Sequence, residues 1–124
     1  MANIKPVLLI VDDDLPTLEL YQRELSADYT VLTCQDRLEA EKLVVTPGLC
    51  AVILEPTISG GAGWQLLHDL RREARRASFP VILCSSSDER KRGLNAGAQA
   101  FLIKPVLPAD LHQTLRRVIA YHPG

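Results

Sequence analysis

Four apolar runs of this chain end on residues able to do chemistry. Asp12 and Asp13 follow Val7-Leu8-Leu9-Ile10-Val11, and Glu55 follows Ala51-Val52-Ile53-Leu54. Ser85 follows Val81-Ile82-Leu83-Cys84, and Lys104 follows Phe101-Leu102-Ile103. Adjacent carboxylates hold a hard divalent cation such as Mg²⁺ through oxygen ligands. A third carboxylate serves as nucleophile and metal ligand. A hydroxyl and an ammonium stabilise the equatorial oxygens of a phosphoryl group. The chemistry these types support is phosphoryl transfer, in which catalysis is mostly positioning and electrostatics.

The elements that must position these side chains are short. Continuous Val, Ile and Leu runs at 7–11, 29–34, 50–54, 81–84 and 100–103 have strand length. Most are apolar on both faces, as a parallel sheet covered on two sides requires. Helix-period segments lie between them at 15–27, 36–45, 62–77, 87–96 and 108–121. Their apolar stripes are Leu15, Leu18, Tyr21 and Leu25; Leu38, Leu43 and Val44; Trp64, Leu67, Leu70 and Ala74; and Leu111, Leu115, Val118 and Ile119. Asp14, Asp36 and Ser87 read as N-caps, Pro16 suits a first turn, and Gly97 suits a helix stop. Gly60-Gly61-Ala62-Gly63 reads as a loop at a strand's carboxyl end. Strands alternating with helices imply right-handed crossovers and an α/β, flavodoxin-like (βα)₅ doubly wound fold. The ligand site of such a sheet lies outside the carboxyl ends of its strands, where all of these polar residues fall.

At 124 residues, nearly half of them apolar and with net charge −1, the chain reads as one globular domain spanning 1–124 with material for a single core. The near-neutral charge argues against nucleic-acid binding by bulk charge. Cys34, Cys50 and Cys84 lie in or beside apolar runs and read as reduced, buried thiols. Asp12-Asp13-Asp14 ends the first apolar stretch too early for a signal peptide or a membrane span. A cytoplasmic location is expected.

The motifs "LLIVDDD", "CAVILE", "GAGWQLL", "FPVILCSS" and "NAGAQAFLIKPV" together resemble the receiver domain of two-component response regulators over nearly the whole chain. That resemblance implies a five-stranded parallel sheet of order 2-1-3-4-5. It implies a metal-binding acidic pair at Asp12 and Asp13, with the main-chain carbonyl of Thr57 as a further ligand. It makes Ser85 the switch hydroxyl, Phe101 the switch aromatic and Lys104 the phosphoryl-contacting lysine, followed by a cis bond to Pro105. It also implies a sensor histidine kinase or a downstream signalling protein as partner, docked on the face formed by 87–96, 100–103 and 108–121. Arg90, Lys91, Arg92 and Phe101 fall in that region. A monomer and a weak homodimer both fit.

The chain departs from the family at the acceptor. The family carries Asp there and this chain carries Glu55; the Pro expected four residues later is Ser59, and Pro56 appears instead. The residue after Lys-Pro-Val is Leu107 where a capping Asp is usual, a change worth about 1 kcal/mol. One extra methylene moves the carboxylate by ~1 Å, and such displacements can cost ~10²-fold in rate. Phosphorylation of Glu55 is not expected. Two outcomes stay open. Glu55 reaches Lys104 or Ser85 and stands in for part of a phosphoryl group, bringing one charge against roughly −1.5 to −2. Alternatively, the site is inert and the fold is a docking surface. Binding of Mg²⁺ by Asp12, Asp13, Glu55 and Thr57 is expected to be weak or absent, because Glu55 enters the metal position and Lys104 pairs with it.

Arg71, Arg72, Arg75 and Arg76 read as a solvated face near a helix C-terminus, where cations suit the macrodipole. Trp64 and Leu67 read as helix packing, Cys84 as packing rather than nucleophile, and His68, His112 and His122 lack ligand spacing. The leading expectation is a non-enzymatic interaction module. A phosphatase with an Asp nucleophile is the alternative, but such enzymes space two acids by one residue before a Thr or Val, and Pro16 sits where that residue belongs. Flavin binding lacks a Ser, Thr or Gly phosphate loop, and the acidic turn would repel phosphate.

Overall fold

In a computed structural model, residues 4–72 and 79–120 are described. The elements run β1 (Val7–Val11), α1 (Leu15–Leu25), β2 (Thr30–Cys34), α2 (Arg37–Leu43), β3 (Leu49–Leu54), α3 (Ile58–Arg72), β4 (Val81–Ser85), α4 (Arg90–Asn95), β5 (Ala100–Ile103) and α5 (Pro108–Ala120). The strands form one parallel sheet of order β2-β1-β3-β4-β5, as expected. The predicted residues Ala74, Arg75, Arg76 and Ala77 of the third helix, with Tyr121 and His122 at the chain's end, lie outside the described residues.

The sheet is buried on both faces, which is why its strands read as unbroken apolar runs. Leu9, Val11, Val52, Leu54, Val81 and Leu83 pack against α2, α3 and α4. Leu8, Ile10, Ile53, Ile82 and Cys84 pack against α1 and α5. Each large apolar side chain removed from water contributes roughly 1.5–3 kcal/mol, and the central strands supply most of it. Among the described residues no helix is long and apolar enough to cross a membrane.

Most caps form as the sequence implies. Asp14 accepts the Thr17 N–H at 3.2 Å, and Asp36 accepts the Glu39 N–H at 2.9 Å. Gly97 takes φ +103° just past α4. Ser87 is not a cap, however. Helix α4 begins at Arg90, its N-cap Glu89 makes no side-chain cap bond, and the Ser87 N–H instead donates to Ser85 Oγ. Two apolar stripes also differ from expectation. Leu15, the first residue of α1, is exposed while Leu18, Tyr21 and Leu25 are buried, and Leu38 is exposed because α2 turns Ala40 and Val44 inward.

The segment after β3 is part loop and part helix. Ser59, Gly60 and Gly61 all have positive φ, so the regular helix starts at Ala62 and Gly63 is helical rather than loop. Gly63 is required by proximity. A methyl group there would lie 2.6 Å from Pro56 Cα and 2.7 Å from the Glu55 carbonyl oxygen. That contact seats the helix directly on the residue that carries the site's central carboxylate.

Candidate functional site

Strand order determines which polar residues meet. β1 and β3 are neighbours with Val11 opposite Leu54, and the Glu55 N–H donates to the Val11 carbonyl at 2.9 Å. Asp12 and Glu55 therefore leave the sheet side by side. β5 lies two strands from β3 and three from β1, and the Lys104 N–H is tied to the Ser85 carbonyl at 2.9 Å. From that anchor the long lysine side chain crosses β4 and reaches both acids. Its Nζ donates to Asp12 Oδ2 at 2.7 Å and to Glu55 Oε1 at 3.0 Å.

Every carboxylate oxygen of the two acids has a partner. Asp12 Oδ1 accepts the Asp14 N–H at 3.0 Å, and Glu55 Oε2 accepts the Thr57 N–H at 3.2 Å. Asp12 and Glu55 are 2 % and 6 % exposed, so this is an ion triad at the sheet's edge rather than a surface pair. Burial pushes the Asp12 carboxyl up, and the Lys104 hydrogen bond pulls it part of the way back. Burial works against the Lys104 ammonium, but its bonds to Asp12 and Glu55 outweigh that and its pKa is raised. Two buried carboxylates share a partly buried cation, and removing it leaves both charges uncompensated.

The other expected site residues have different partners. Asp13 is exposed. Ser85 is buried at the end of β4, and its hydroxyl accepts the Ser87 N–H at 3.3 Å. The Thr57 N–H donates to Glu55. The Lys104-Pro105 bond is cis, as expected. Phe101 is 7 % exposed, so it lies in the core beneath α4 and not on the outer face where its sequence neighbours suggested. α4 can approach that closely because residue 93 is glycine. A methyl group there would lie 2.7 Å from Leu83 Cδ1 and 2.9 Å from Phe101 Cδ2.

The sequence matches the family described as response regulator receiver domain over residues 8–116. The chain belongs to that family. This receiver domain is 32% identical over 120 residues to the two-component response regulator ORR3 of Oryza sativa subsp. indica, covering 93% of this chain and 92% of that protein. It is 28% identical over 116 residues to the transcriptional regulatory protein HprR of Escherichia coli (strain K12), covering 93% of this chain but 52% of the relative. The chain spans about half the length of the curated regulators of that kind that it matches. Its fold is similar to a response regulator receiver domain protein (CheY-like) from Methanospirillum hungatei JF-1, with a TM-score of 0.85, 23% identity and 97% of each chain covered.

One side chain remote from the triad, at the amino ends of β4 and β5, differs from its sequence reading. Arg71 is not on a solvated face. It donates to the Gly97 carbonyl at 2.9 Å, the Phe79 carbonyl at 3.3 Å and Gln99 Oε1 at 2.8 Å, which also accepts the Val81 N–H. It clamps the end of α3 to the loop before β5, and burial lowers its pKa. Arg92 of α4 stacks on Trp64 of α3, with its guanidinium carbon 4.0 Å from the ring centroid. Trp64 is therefore helix packing, as read. Cys84 is buried, and burial pushes its thiol up to about 12, as packing rather than nucleophilic use requires.

Proposed function

We propose that this receiver domain is a degenerate form in which Glu55 stands at the position where its family carries the phospho-acceptor Asp. It does not accept a phosphoryl group and it signals by docking. The observation that carries this reading is the 3.0 Å contact between Lys104 Nζ and Glu55 Oε1. The lysine that the family resemblance assigns to the phosphoryl group is already engaged by the longer acid. Mimicry is partial, because the Ser85 hydroxyl stays on the Ser87 backbone and one carboxylate charge falls short of a phosphoryl group. The site thus rests in one state and has no catalytic role.

The partner, a sensor histidine kinase or a downstream signalling protein, docks on the α4–β5–α5 face. Leu94, Ile103 and Leu107 are exposed there, beside Arg90 and Lys91. An apolar centre rimmed by charge is the composition of a transient protein interface. The domain works in the cytoplasm as a monomer or weak homodimer.

Incubation with acetyl phosphate and Mg²⁺ followed by intact-mass spectrometry tests the reading. Wild-type protein is expected to stay unmodified, and Glu55→Asp to gain a phosphoryl adduct. Modification of wild-type protein at Glu55 contradicts the proposal.

A further inference from the structure

The cluster formed by Asp12, Glu55 and Lys104 holds a positive charge of its own. We infer that the Lys104 ammonium is the resident cation of this site and excludes a divalent ion from the position between Asp12 and Glu55. The inference concerns metal binding and stands whether or not a partner docks on α4, β5 and α5.

The oxygen inventory leads to it. A divalent ion of the Mg²⁺ type takes about six oxygen ligands in near-octahedral geometry. All four oxygens of Asp12 and Glu55 already accept hydrogen bonds, two from Lys104 Nζ and two from the main-chain N–H groups of Asp14 and Thr57. Asp13, which would complete an acidic trio, is exposed, and among the described residues no three His, Cys, Asp or Glu side chains gather in a metal-holding group. The residues as placed do not fit a divalent ion.

Lys104 is also poorly placed to step aside. Its main chain is fixed on β4 through the Ser85 carbonyl, and its side chain is only 19% exposed. An incoming ion would break two charge-assisted hydrogen bonds and sit a few ångströms from an ammonium of the same sign. The exclusion therefore needs the Lys104 ammonium held against both Asp12 and the long Glu55, and a shorter acid at 55 would loosen that hold. Removing the ammonium while keeping Glu55 should open the position.

Isothermal calorimetry with Mg²⁺ on wild type, Lys104→Met and Lys104→Arg decides it. Wild type and the arginine variant are expected to show no saturable binding at millimolar ion. The methionine variant is expected to bind at least ~10-fold more tightly than wild type, since deleting a like charge so close removes at least that much repulsion. Sub-millimolar binding by wild type overturns the inference, as does a folded Lys104→Met protein that binds no better than wild type. A second measurement needs no variant. Mn²⁺ added to ¹⁵N-labelled wild type should leave the Asp14 and Thr57 amide signals no broader than those of exposed amides. Selective loss of those two signals overturns the inference.

Discussion

Lys104 Nζ lies 3.0 Å from Glu55 Oε1, although the two residues are separated by β4 in the sheet. The lysine spans that strand because its main chain is pinned to Ser85 and Glu55 supplies one more methylene of reach than Asp. Each half of the pair is anchored locally, Glu55 by the Thr57 N–H and Lys104 by the Ser85 carbonyl. The contact therefore joins two fixed points, and the ordering entropy usually lost in forming an ion pair is small.

Removing the ammonium should be costly. Lys104→Met leaves Asp12 and Glu55 buried without their shared cation, a situation that typically loses about 3–5 kcal/mol. Urea unfolding should show a lower midpoint with an unchanged slope, and millimolar Mg²⁺ should restore part of the loss in the variant alone. A variant as stable as wild type would mean that the triad contributes little to the fold.

Glycines at 63 and 93 are both needed for close approach, but the obstruction differs. Gly93→Ala meets the Leu83 and Phe101 side chains, which can shift, so about 1–3 kcal/mol of overpacking is expected. Gly63→Ala meets the backbone of Glu55 and Pro56, which cannot, and should lose more. Thermal denaturation of the two variants should rank them in that order.

The thiols should be slow to react. Burial raises Cys34 and Cys84 to about 12 and Cys50 to about 11, so almost no thiolate exists near pH 8. Alkylation of native protein followed by mass spectrometry should label none of them within minutes, whereas protein in denaturant should be labelled at all three. Rapid labelling of Cys84 in native protein would show that β4 opens.

Strands and the polar edge were legible in the sequence because a buried parallel sheet leaves unbroken apolar runs, each ending where the site begins. Asp14 and Gly97 were legible because capping and left-handed termination are local. What was not legible depended on distance in three dimensions. Arg71 finds its partners on Phe79, Gly97 and Gln99, so nothing within its own helix announced that it was clamped. Ser87 resembles a cap in isolation, but Ser85 takes its N–H and the helix starts later. Leu38 counted toward an apolar stripe, yet the helix turns its small residue Ala40 to the sheet. The residues around Lys104 implied that it would reach the acids, but not that the Ser85 hydroxyl would accept the Ser87 N–H.

The cap on α1 carries a pH signature. Hydrogen bonds from Thr17 lower the Asp14 carboxyl below its ordinary value. A depressed acid adds stability above its unfolded pKa, about 3.9, and loses it as pH falls through the lower folded value. The difference in melting temperature between wild type and Asp14→Ala should be full at pH 6 and narrow below pH ~4. A difference that stays constant across that range would mean that the charge of Asp14 is irrelevant to the cap.

The placement of one ammonium carries the whole account, and a crystal soaked in Mn²⁺ reads it directly. The anomalous difference map is expected to be flat between Asp12 and Glu55, with Lys104 density bridging the two carboxylates. A peak at that position, with the lysine displaced from Glu55, would contradict it.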